Sequence, residues 1–304
     1  MRIKLDLYLK ELLLFGATLM VGVFSAYRNI TSSVPIIVPE VKFGWGDVVF
    51  LAVLALFFIF SSRYQRVTSF SFKLFLVLIV FSGTSMVMGA VLSPPWDILV
   101  TFLIVVAFLS IKNVLVHNVG IILGVAGIGS LLGLTISPRT AVIIMIILSF
   151  YDIIAVYVTK HMVKMAKTMM ESGAIFGFII PSQMSGFFSH KGEAQAKVGV
   201  GDQFMILGSG DIGLPVVLAS SVARYSLNDA VIVAAFSLVG LFVTHLIFVN
   251  QRERKPMAAL PPIATMSIIG YFVALISNSQ FLNKNYENNF LRRSKNGYRC
   301  ELSS

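Results

Sequence analysis

Apolar runs about as long as a bilayer is thick recur along this chain, and that recurrence limits its fold more than any other feature. In lipid every backbone N–H and C=O must be satisfied within the protein, which leaves helices or a closed barrel. Runs near the ~20 residues that a spanning helix needs fall at roughly 11–27, 46–62, 72–93, 97–111, 115–136, 140–159, 203–222, 229–249 and 258–277. They predict an all-α polytopic membrane protein with about nine transmembrane helices. Composition agrees: hydrophobic residues are 57% of the chain and charged residues 12%, with mean hydropathy +0.86, far from a soluble domain.

The first run follows Arg2, Lys4 and Lys10 as a secretory signal would, but no small-residue cleavage site comes after it, so it is read as a retained helix. Four parts are expected: residues 1–160 as an N-terminal six-helix part, 161–202 as a connecting loop, 203–277 as a C-terminal three-helix part, and 278–304 as a polar, Asn-rich disordered tail. The net charge of +10 raises the question of nucleic acid, but Lys and Arg are scattered through loops and ends without interleaved aromatics, and no nucleic-acid partner is expected. Membrane topology explains them better. With nine spans, about 15 Lys or Arg lie on the side of the N-terminus and about four on the other, which puts the N-terminus in the cytoplasm of a cell-membrane protein. The single cysteine, Cys300, leaves no internal disulfide and no cysteine-rich metal site. No metal or other cofactor is called for.

Two carboxylates break the apolar pattern. Asp152 lies in Thr140–Val158 and Asp211 in Phe204–Ser220. An aspartate at the centre of a spanning helix costs roughly 2.5 to 3.5 kcal/mol, so two on sequential spans are expected to face each other, away from lipid. Held close, they cannot both ionise: one keeps its proton while the other stays charged, as in a dyad that activates water and protonates a leaving group. Gly208-Ser209-Gly210 removes side chains on the approach to Asp211, and Gly213 and Pro215 loosen the helix after it. Gly199-Val200-Gly201-Asp202 repeats the pattern, but Asp202 follows a polar loop and reads as a helix-start acid. Ala259-Leu260-Pro261-Pro262 opens the last span, where prolines free backbone groups for another partner or simply begin a helix.

Other stretches read as scaffold. Asp97, after Ser93-Pro94-Pro95-Trp96, is expected to cap the fourth helix, His245 to be a hydrogen-bonded packing residue, and the glycines between Gly120 and Gly133 to allow close helix contact. His117 lies near a helix start. In the long loop, His161–Glu171 continues the sixth helix with Lys164, Lys167 and Glu171 on one face. Apolar Ala174–Ile180, ended by Pro181, is too short to span and is expected to lie against the bundle as a plug or gate. Polar Ser182–Lys197 is expected to be mobile.

Tyr151-Asp152, Gly208-Ser209-Gly210-Asp211 and Ala259-Leu260-Pro261 resemble the YD, GxGD and PAL motifs of the presenilin and signal peptide peptidase family of intramembrane aspartyl proteases. The motifs stand in the family's order on the expected spans, and the resemblance covers about residues 1–277. It implies that Asp152 and Asp211 are the catalytic pair, that Ala259, Leu260 and Pro261 shape the site and hold substrate backbone, and that Tyr151, Gly208 and Gly210 support it. The partners implied are transmembrane segments of protein substrates and the lipid bilayer, with a homo-oligomer also allowed. Ser209 stands where the family carries a large apolar residue, and Ala258 where the first proline of PAL would be. Presenilin-like residues after Tyr151 beside peptidase-like residues around Asp211 suggest an archaeal homologue. The competing reading is a proton- or ion-coupled transporter built on paired acids and broken helices, although no internal repeat is evident. Zinc proteases are excluded by the lack of His-Glu-x-x-His, and a serine type by the lack of Gly-x-Ser-Gly.

Overall fold

The computed structural model describes residues 4–31, 65–159, 169–170, 173–196, 204–251 and 257–277. The expected span at 46–62, the charged face of Lys164, Lys167 and Glu171, the second acid Asp202 and the tail from Asn278 lie outside these residues. The described helices are α1 (Leu5–Thr31), α2 (Gln65–Gly89), α3 (Trp96–Ser110), α4 (Val114–Thr135), α5 (Pro138–Ile153), the short α6 (Lys191–Ala196), α7 (Ser209–Ala223), α8 (Leu227–Val249) and α9 (Leu260–Ser277). Six of them are long and apolar enough to cross a membrane, and α3 and α7 are shorter apolar helices. This is the polytopic helical fold that the apolar runs predict. Large apolar side chains stay exposed on α3 (Ile98, Leu99, Phe102, Leu103) and α5 (Ile143, Ile147, Phe150), as a lipid-facing surface requires.

Helix starts follow local chemistry. The Asn113 side chain accepts a hydrogen bond from the Leu115 N–H, Ser137 accepts from Thr140 with Pro138 in the first turn of α5, and Ser226 accepts from Asp229, which satisfies amides that helix geometry leaves free. Asp97 is a correction. The residue preceding α3 is Pro95 and no side chain caps it; Asp97 is the second residue of the helix, in its first turn, with a buried oxygen that has no partner among the described residues.

Helix α4 is central, packed against α1, α2 and α7. Its glycines serve both sides, as the sequence suggests. A Cβ at Gly124 or Gly127 would strike α2 at Val80 or Gly83, and one at Gly129 or Gly133 would strike α7 at Val216 or Ser220. Backbones approach closely here because small residues let them.

A two-stranded antiparallel sheet stands inside this helical frame. Strand β1 (Gly177–Pro181) pairs with β2 (Phe204–Gly208), Gly177 opposite Gly208 and Pro181 opposite Phe204. Neither strand is the expected element. The apolar run 174–180 does lie against the bundle, but as a strand; Ala174, Ile175, Phe178, Ile179 and Ile180 are in the core. The seventh span, expected from residue 203, begins as strand and turns helical only at Ser209. Residues 184–196, expected to be mobile, form a 3-10 turn (Met184–Phe188) and α6. They dock on the α3–α4 junction, where Val114 N–H donates to Ser189 O at 3.3 Å and Lys191 N–H to Lys112 O at 2.8 Å.

Candidate active site

Asp152 lies at the end of α5, where the helix widens into a π-helical turn over Ile154–Val158. Such turns cluster at functional sites because they redirect the chain within an otherwise regular helix. Asp211 lies in the first turn of α7, not mid-helix as the sequence suggests. The difference matters: unpaired N–H groups at a helix start favour a carboxylate, so position in the fold offsets part of the burial penalty. Asp152 is 5% exposed and Asp211 8%. Helix α5 packs against α7, which sets the two carboxylates on adjoining elements within electrostatic reach of one another, and neither has an ion pair among the described residues. The structure therefore brings the two acids together.

Gly208 explains how Asp211 reaches its place. A Cβ there would sit 3.0 Å from Asp211 Oδ2, so the carboxylate would have to give by a few tenths of an ångström, whereas one at Gly210 would meet nothing within 4 Å. Gly208 lets the carboxylate lie against the backbone, whereas nothing around Gly210 calls for a glycine. Tyr151, next to Asp152 on α5, is exposed where Asp152 is buried.

The Ala259-Leu260-Pro261 segment arrives at the same place. Leu260 N–H, the first of α9, donates to Asp152 Oδ2 at 3.3 Å. Ala259 O receives the Thr244 hydroxyl at 3.5 Å, and Pro261 O that of Thr265 at 2.8 Å. Both prolines fall in the first helical turn, where a missing N–H leaves no bond unmade. Of the two readings of these prolines, freed backbone or a simple helix start, the structure shows a helix start, with Leu260 N–H meeting one of the two acids.

The backbone edge open for a partner lies elsewhere. Ser209 N–H donates to Phe176 O at 3.2 Å, so with the observed register Leu207 and Met205 turn their backbone groups toward β1. Phe204, Ile206 and the Gly208 N–H turn the other way, along an edge that no described residue pairs with. That edge ends at Gly208, three residues before Asp211. The sequence reading missed it because the apolar stretch through Asp211 looked like one continuous span.

Comparison with known proteins bears on this geometry. A family model described as signal-peptide peptidase, presenilin aspartyl protease matches residues 16–279. A search of the curated proteins finds no match. Among solved structures, a presenilin family intramembrane aspartate protease in space group C222 is similar at 21% identity and TM-score 0.55, covering 87% of this chain and 95% of the other. The same kind of protein in space group P2 is similar at 20% identity and TM-score 0.56, covering 90% and 97%.

Proposed function

The chain belongs to the signal-peptide peptidase and presenilin aspartyl protease family, and on that premise we propose that Asp152 and Asp211 are its catalytic pair. It is a multi-pass membrane protein and an intramembrane aspartyl endopeptidase, acting on transmembrane segments of other proteins. Nothing in the fold or the comparisons supports a transporter. The observation that carries the assignment is the convergence of two buried carboxylates without a counter-cation, one at the end of α5 and the other at the start of α7.

In the proposed mechanism one aspartate is ionised and polarises a water, while the other holds a proton and donates to the scissile carbonyl. Leu260 N–H stabilises negative charge on Asp152, which favours Asp152 as the ionised partner. Ala259, Leu260 and Pro261 form the wall behind it. A substrate helix enters from lipid, unwinds, and adds its extended backbone to the free edge of β2, as strand addition does elsewhere. Unwinding is needed because helical amides are already paired and shielded. The excess of Lys and Arg on one side of the expected spans favours a cytoplasmic N-terminus in a cell membrane, and with it substrates whose own N-termini lie outside. Residues 1–160 and 203–277 then supply one aspartate each, with 161–202 joining them.

Cleavage of a labelled single-span substrate by purified protein in lipid tests the pair. Asp152→Asn and Asp211→Asn should each abolish cutting while the protein stays folded. Cutting by both variants would overturn the assignment.

A further inference from the structure

Strand β1 has two edges, and only one meets a strand. On the outer edge the groups turned away from β2 belong to Gly177, Ile179 and Pro181. His117 Nε2–H donates to Gly177 O at 3.1 Å. The Asn118 amide closes a two-way pair with Ile179, donating to its carbonyl at 2.8 Å and accepting from its N–H at 2.9 Å. Lys10 Nζ donates to Pro181 O at 3.2 Å and Ser182 O at 2.6 Å. His117, Asn118 and Lys10 are all buried, and Pro181 has no N–H to satisfy. Side chains from α4 and α1 thus occupy the bonding positions of a third strand.

An isolated two-stranded hairpin is marginal in water, and a buried strand edge with unmade bonds is costly. We infer that His117, Asn118 and Lys10 are positioning residues that replace a missing strand on β1, so that the hairpin, with the free edge of β2, is formed before a substrate arrives. The inference rests on the proposed use of that edge by substrate. Without the caps, the hairpin would have to order during binding, and the apparent affinity would fall by the fraction of molecules in which it is already formed. Chemistry in the bound state would be unaffected.

The test is steady-state cleavage of a single-span substrate, with exchange of the Ile179 amide measured on the same proteins without substrate. Asn118→Leu should raise KM about tenfold or more with kcat of the folded protein nearly unchanged, and should speed Ile179 exchange. His117→Leu should do so more weakly, and His117→Gln, which keeps an N–H donor, should restore the parent values. A fall in kcat at constant KM, or no change in KM with slow Ile179 exchange, overturns the inference. If Asn118→Leu does not fold, the two His117 variants decide it. If the parent cuts nothing, the protease reading fails on its own account, and Ile179 exchange still judges the caps.

Discussion

Among the described residues two places bury acids, and they treat them oppositely. Glu11, in α1, is 1% exposed and is met by His245 of α8, whose Nδ1 lies 3.0 and 3.1 Å from its two carboxylate oxygens, with the Tyr8 ring packed against the imidazole. Asp152 and Asp211 are nearly as buried, yet the hydrogen bond they are given is a single backbone N–H, on Asp152. The first is an acid whose burial is compensated by a basic group, and its product is helix-to-helix attachment. The second is left uncompensated, an arrangement that stability alone would not favour. Burial alone therefore does not set the proposed catalytic pair apart from a structural acid; the missing partner does.

The sharpest way to break this contrast is to neutralise each acid in turn. Asp152→Asn or Asp211→Asn should lower the cleavage rate by on the order of 10³-fold or more, with a thermal midpoint at or above the parent's, because a buried acid without a counter-cation gives way to a neutral amide. Glu11→Leu should do the reverse: a loss of about 3 to 5 kcal/mol in stability, with cleavage per folded molecule largely kept, read by thermal unfolding beside an activity assay. Loss of activity in stable Glu11→Leu protein would show that the two regions are not separate. The double variant Glu11→Leu with His245→Leu should regain part of that stability, since it leaves no unpaired polar group.

Smaller changes probe the same contrast more finely. Gly208→Ala should displace the Asp211 carboxylate by a few tenths of an ångström and lower kcat by roughly tenfold, with little change in unfolding temperature. Thr244→Val removes the hydroxyl on Ala259 O and should cost about 0.5 to 1 kcal/mol. Its effect on cleavage should be the smallest of the set.

Much of this was legible in the residues. Apolar length marked the described spanning helices, the glycines of α4 announced close packing, and His245 proved to be the hydrogen-bonded packing residue its surroundings suggested, bound to Glu11. Asp152 and Asp211 stood out because carboxylates within apolar runs are rare. Less visible was everything that depends on a partner distant in sequence. Nothing local to Glu11 names His245, 234 positions away, and nothing in Phe204–Gly208 distinguishes a strand from the first turns of a helix, since an apolar run of that length fits either.

What the amino-acid order decided alone was the class of fold and which two carboxylates stand within apolar runs, because these follow from hydropathy and charge summed along the chain. Tertiary structure decided the rest. It placed Asp211 at a helix start, brought Leu260 N–H to Asp152, and made a strand of residues 177–181 by giving their outer edge to His117, Asn118 and Lys10. The physical reason is common to all three: a backbone hydrogen bond is satisfied by whichever group arrives, and which group arrives is settled only when the helices pack.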